Sequence, residues 1–240
     1  MDSMFVFKKK DILVAVGFLA LIVGFSAIFI GNADKKQAGS VNYGYKVVID
    51  VGHGGIDSGV TGSVTGVKES DLNLAVSKKL ATILSEAGIT AVLTRNTEAG
   101  LYGAAAGNLK KKEMLKRKEI ILKEKPDLMV SIHMNKFSSP RRRGAQVFFK
   151  KGDKVSENLA FCMQKSVNNL YDDVKDYSAL TGDYYVLNCS DYPSVLVECG
   201  FLSSPEDEKL LVTEEFQEKT AYYIFCGIIE YLNSPLPSET

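Results

Sequence analysis

The chain has two histidines, and each closes an apolar run: Val47-Val48-Ile49-Asp50-Val51-Gly52 leads into His53, and Leu128-Met129-Val130-Ser131-Ile132 into His133. Two imidazoles joined by one carboxylate form the three-donor set that zinc uses when a fourth position must stay open. Glu69, in the polar stretch Lys68-Glu69-Ser70, can supply that carboxylate, and the chain has no further histidine to close the site. Glu198 ends a third apolar run, Val195-Leu196-Val197, where an acid is costly to bury unless it is paired or put to work. Beside a metal it can take a proton from water and pass it to a leaving amine, and desolvation raises its pKa towards a useful range. Taken singly, each residue has a blander reading. His53 can be a turn residue, His133 a strand-end residue satisfied by backbone, Glu69 an acid favoured by a helix start, and Glu198 the partner of a loop arginine such as Arg95 or Arg117. The equivalent strand-end placement of the two histidines is what favours reading them together.

That placement depends on the elements behind it. Valine and isoleucine favour pleated strands, and a near-continuous apolar run reads as a strand buried on both faces. The first strand is expected at 46–51, ending in the turn Gly52-His53-Gly54-Gly55, whose glycines leave the ring uncovered. A helix capped by Ser70-Asp71 follows, then a strand at 89–94, a loop at 96–110, a basic helix to Lys125 and a break at Pro126. Further strands are expected at 127–132, 144–149, near 184–187 and 194–199, with helices at 155–170 and near 214–232. This alternation predicts an α/β fold: one domain with a mostly parallel sheet of about six strands and helices on both faces. In such sheets, sites form at the carboxyl ends of the strands, which would put His53 and His133 on one edge. The loop leaving His53 can carry Glu69 back over that edge.

Residues 12–30 carry no charge, and about 19 apolar residues approach the ~20 needed to span a bilayer. Lys8-Lys9-Lys10 precede them, so the positive-inside rule keeps residues 1–11 cytoplasmic and sends the remainder outward. The segment reads as a transmembrane anchor, with a cleaved signal sequence as the other option. Residues 31–45 then form a linker, 46–233 the catalytic domain and 234–240 a tail. At 240 residues and 45% hydrophobic content, one well-buried domain plus a tail is the natural division. Lys+Arg 29 balances Asp+Glu 29, so no global field draws the chain to nucleic acid. The basic clusters at 110–118 and 141–143 read as solvated faces, with docking of a partner or of substrate carboxylates as the sharper alternative. The four cysteines show no metal-ligand spacing and read as buried thiols.

Several spaced motifs carry a family resemblance. Val-Ile-Asp-x-Gly-His-Gly-Gly at 48–55, Lys-Glu at 68–69, Leu-Thr-Arg at 93–95, Ser-Ile-His-x-Asn at 131–135 and Val-Glu-x-Gly-Phe at 197–201 resemble, in order, the zinc-dependent N-acetylmuramoyl-L-alanine amidases. The resemblance implies one zinc ion held by His53, Glu69 and His133, with Glu198 as general base. The substrate would be the amide between N-acetylmuramic acid and L-alanine in peptidoglycan. Arg95 and Asn135 are candidates for touching substrate or supporting a ligand. Ser139 to Gln146, Gly182 to Asn188 and a membrane segment without wall-binding repeats are similar to the germination-specific amidases of spore formers. That group removes stem peptides from spore cortex on the way to muramic-δ-lactam, which implies a place between the two spore membranes. Val51 stands where the family often has proline, and the stretch after His133 is too short for an inserted inhibitory helix.

Three other readings fit parts of the chain. A thiol hydrolase would use Cys199 with His133, a non-catalytic peptidoglycan-binding scaffold would keep only the fold, and a zinc carboxypeptidase would cut a different amide of wall peptides. A site bordered by glycine-rich loops could also hold zinc weakly until an accessory protein partner orders it.

Overall fold

The computed structural model describes residues 44–103 and 107–234. The expected cytoplasmic N-terminus, the membrane segment at 12–30, nearly all of the linker and the tail beyond 234 lie outside them. Among the described residues no helix is long and apolar enough to cross a membrane.

The first strand, β1 (Lys46–Val51), is followed by the glycine-rich loop and α1 (Glu69–Glu86), then by β2 (Thr90–Leu93), α2 (Leu109–Glu124) and β3 (Leu128–Asn135). After these come β4 (Gln146–Phe149), α3 (Lys154–Val167), β5 (Leu180–Thr181), the one-turn α4 (Tyr185–Asn188), β6 (Ser194–Phe201), α5 (Pro205–Leu211) and α6 (Glu214–Asn233). The sheet order is β2-β1-β3-β6-β4-β5. All neighbours run parallel except β4 and β6, which are antiparallel. The expected six-stranded, mostly parallel sheet is present.

Successive residues of a strand point to opposite faces, and the core divides accordingly. Val47, Ile49, Val130, Ile132, Val195, Val197 and Cys199 join the larger core with α1, α3 and α6. Val48, Met129 and Leu196 face the other way and pack with Ile121 of α2 and Val186 and Leu187 of α4. By the same alternation Asp50, Ser131, His133 and Glu198 belong to this second face, under the smaller pair of helices.

Four local expectations change. The strand expected near 184–187 is the turn of helix α4: Asn188 Nδ2 donates to Asp183 Oδ1 and Tyr184 O, and Cys189 Sγ to Val186 O, closing the chain on itself. The sixth strand is instead β5, paired with β4. Helix α1 begins at Glu69, and its cap residue Lys68 contributes no side-chain bond. Its first amides are satisfied by the loop, Glu69 N donating to Val60 O and Ser70 N to Ser58 O. Strand β3 runs on to Asn135, so His133 lies within it rather than after it. Helix α5, capped by Ser204 with proline at its start, was not foreseen.

Candidate metal centre and its cleft

Each donor reaches the centre by its own route. His133 is delivered by the pleat of β3, directly opposite Glu198 of β6 in the ladder. Glu69 is delivered by the first turn of α1, which the loop's own carbonyls cap. His53 sits in the left-handed region with φ 58°, a conformation uncommon for a residue with a side chain. Two arginines hold it there. Arg95 Nε donates to His53 O at 2.7 Å and Arg117 Nη2 to the same oxygen at 2.8 Å, while Arg117 Nη1 reaches Val51 O at 2.7 Å. Arg95 Nη2 also bonds Gly52 O and Ser70 O, tying the histidine turn to the start of α1.

Donor atoms of His53, Glu69 and His133 lie within 4.8 Å of one another. Glu69 Oε1 is 3.2 Å from His53 Nε2 and 2.9 Å from His133 Nδ1. Its Oε2 accepts from Val60 N at 2.8 Å. Burial disfavours the ionised form of Glu69, but hydrogen bonds from His133 and His53 outweigh it and hold the carboxyl well below its usual range. Burial likewise opposes a charged His53, and Glu69 and then Asp57 overcome it, so the imidazole titrates higher than usual. Asp57 Oδ1 stands 3.0 Å from His53 Nδ1, off the direction of a hydrogen bond. Close approach is permitted by glycines: a Cβ on Gly59 would lie 2.4 Å from Glu69 Oε2, and one on Gly52 2.5 Å from His133 Cε1.

Two imidazoles and an ionised carboxylate fit a zinc ion in donor type and number, and they leave one side open. That side is a cleft of about 850 Å³ whose walls include Glu198, Asn135, Lys110, Lys136, Tyr184 and Tyr185. Glu198 is buried, and its Oε2 has no hydrogen-bond partner. Desolvation, reinforced by Glu69 and opposed by His133 and His53, pushes its carboxyl up to about 7. The salt bridge to Arg95 or Arg117 is absent because both arginines are otherwise engaged.

Arg117 corrects a reading of the basic run 110–118 as wholly solvated. It is buried on helix α2, not in a loop, paired with Asp50 at 2.7 Å and Glu113 at 2.8 Å. Asp50 also accepts from Ser131 Oγ at 2.7 Å, and Arg117 with this bond overrides desolvation to hold Asp50 ionised below its usual range. The signals were an acid at the end of β1 and a Glu-Arg pair four residues apart in a lysine-rich helix. Arg95 supports the turn from behind and does not line the cleft. Asn135 does line it, with Oδ1 bonded to Lys136 N. Cys199 is fully buried on the far face, its Sγ against Val197 O and its thiol pushed far up by desolvation, which removes it as a nucleophile.

A family model described as N-acetylmuramoyl-L-alanine amidase matches residues 47–230. The germination-specific N-acetylmuramoyl-L-alanine amidase of Bacillus subtilis is 30% identical over 228 residues, covering 93% of this chain and 95% of its own. The amidase AmiA of Escherichia coli is 30% identical over 84% of this chain and 81% of its own. Among solved structures, the CwlD amidase of Clostridioides difficile in complex with the GerS lipoprotein superposes with TM-score 0.75 at 35% identity, covering 78% of this chain and 98% of that one.

Proposed function

The chain belongs to the N-acetylmuramoyl-L-alanine amidase family, enzymes that act on peptidoglycan outside the cytoplasm, and we propose that it cuts its amide with zinc held by His53, Glu69 and His133 and with Glu198 as general base. The observation that carries this reading is Glu198, a buried acid without a partner beside three convergent metal donors. Zinc bound there would supply Lewis-acid polarisation of the lactyl carbonyl and a more acidic water. Glu198 takes a proton from the attacking water as the new C–O bond forms. It then returns that proton to the alanine nitrogen as the C–N bond breaks, leaving a free amine and a muramic carboxylic acid whose remaining proton passes to solvent or to the amine. Arg95 and Arg117 keep His53 in its strained conformation throughout, and Asn135 borders the substrate.

The finer setting is spore cortex, where removal of stem peptides precedes muramic-δ-lactam formation. Its support is the 30% identity to the germination-specific Bacillus subtilis amidase, which extends over 93% of this chain and 95% of that one. An accessory protein that stabilises zinc binding is part of the same proposal. Its support is the CwlD amidase, solved in complex with a lipoprotein. The anchor at 12–30 would hold the domain on the outer side of the membrane. Metal analysis together with muropeptide mapping, on wild type and on Glu198→Gln, tests the proposal. Full stem-peptide release by the variant, or by metal-free protein, would overturn it.

A further inference from the structure

The cleft holds two cations that the chemistry above does not use. Lys110, at the start of α2, and Lys136, after β3, both line it and both are exposed. Neither forms a side-chain ion pair among the described residues, unlike Lys79, Lys116, Lys154 and Lys165, whose ammonium groups lie within 3.2 Å of carboxylates. The acids of the cleft are already committed. Asp50 and Glu113 are paired with Arg117, Asp57 stands against His53, Glu69 belongs to the donor cluster, and Glu198 is buried beside that cluster in the role proposed above. Of the cations in the basic run 110–118, Lys110 and the buried Arg117 are the two that line the cleft.

Lys110 lies near enough to Asp57 for its charge to favour that carboxylate, but neither lysine is held in a direct ion pair, and two such ammonium groups in one cleft select an anionic ligand. Resting on the amidase reading, the chemistry of the substrate says which part carries the anion. The muramic carboxyl is consumed in the amide to be cut, so any carboxylate near that bond lies on the peptide beyond its first alanine. We infer that Lys110 and Lys136 read a peptide carboxylate, making the enzyme selective for stem peptides with a free acid over the same peptides with that acid amidated.

The test uses zinc-loaded Glu198→Gln protein, in which turnover is removed, and two synthetic muramoyl peptides identical except that the second residue's carboxyl is free or amidated. Titration calorimetry should show the free acid binding on the order of tenfold more tightly at low salt, a preference that shrinks as salt rises. Adding Lys110→Met and Lys136→Met should abolish the preference, and the corresponding Lys→Arg changes should retain it, which a structural role for the lysines would not produce. Equal affinity for the two ligands, no binding of either, or a preference that survives both Lys→Met changes overturns the assignment. Hydrolysis of the same peptides by wild type is scored separately. Intact discrimination without hydrolysis counts against the proposed reaction, whereas intact hydrolysis without discrimination counts against the lysines.

Discussion

His133 and Glu198 are register partners across the β3–β6 ladder, so a candidate metal donor and a candidate proton carrier stand side by side on one face of the sheet. Because Glu198 donates nothing to the donor set, changing it separates binding from chemistry. Glu198→Gln should keep one zinc per chain by elemental analysis while stem-peptide release falls by about 10² to 10⁴-fold, the range for loss of a general base. A variant that loses zinc and activity together would place Glu198 among the ligands instead.

The same acid makes a prediction about stability. Its carboxyl is raised from 4.5 to about 7 in the folded chain, so between those values the folded state holds a proton that the unfolded state releases. Folding is therefore disfavoured progressively as pH rises through that window, reaching about 3 kcal/mol above pH 7. Metal-free Glu198→Gln should be more stable than metal-free wild type by about that much at pH 8, and the gap should close below about pH 4.5. Denaturant titrations at the two pH values check it, and a gap independent of pH would contradict it.

Arg117 joins the sheet, helix α2 and the histidine turn through one side chain. Arg117→Met leaves Asp50 and Glu113 buried without their counter-charge, a change worth about 3 to 5 kcal/mol of stability. It also releases His53 O and Val51 O, so the fraction that remains folded should bind zinc more weakly. Competition with a chromogenic chelator, alongside urea titration, measures both. Wild-type zinc affinity in folded variant would confine Arg117 to stability.

Much of this candidate site is legible in the sequence because His53, His133 and Glu198 each follow an apolar run that reads as a strand. Parallel topology, which the alternation of strands and helices predicts, brings His53, His133 and Glu198 together, whereas Glu69 also needs the loop after His53 to fold back over the strand ends. Arg117 was hidden because a lysine-rich helix looks uniformly solvated, and its burial depends on Asp50, 67 residues away in the chain. The misread strand at 184–187 has Tyr, Val and Leu in β-like order, but Asn188 turns it into a helical turn by bonding back to Tyr184 O. The start of α1 was misplaced for a related reason: its cap comes from Val60 and Ser58 carbonyls, which no local motif announces.

A chelator and a thiol reagent should act in opposite ways. Removing zinc should abolish hydrolysis and lower the melting temperature, since a ligand bound only by the folded state stabilises it by mass action. Iodoacetamide under native conditions should leave hydrolysis intact, because Cys199 is buried and its thiolate strongly disfavoured. Inactivation by alkylation that tracks modification of Cys199 would reopen the thiol route.

Gly59 and Gly66 offer a matched pair for the approach to Glu69. Both have positive φ, 66° and 73°, so alanine at either position pays a similar conformational penalty, about 1 kcal/mol. Their surroundings differ. A Cβ at Gly66 meets nothing within 4 Å, whereas one at Gly59 would lie 2.4 Å from Glu69 Oε2 and 2.8 Å from His53 Cδ2. Two of the three candidate metal donors must therefore move to admit Gly59→Ala. Gly66→Ala should lose a little stability and no zinc affinity, while Gly59→Ala should lose at least tenfold in affinity, or about 1.4 kcal/mol, on top of a similar stability loss. Chelator competition on the two purified variants decides it. Equal affinities would mean the loop can shift away from Glu69 without disturbing the donors, and that the glycine is there for its backbone conformation alone.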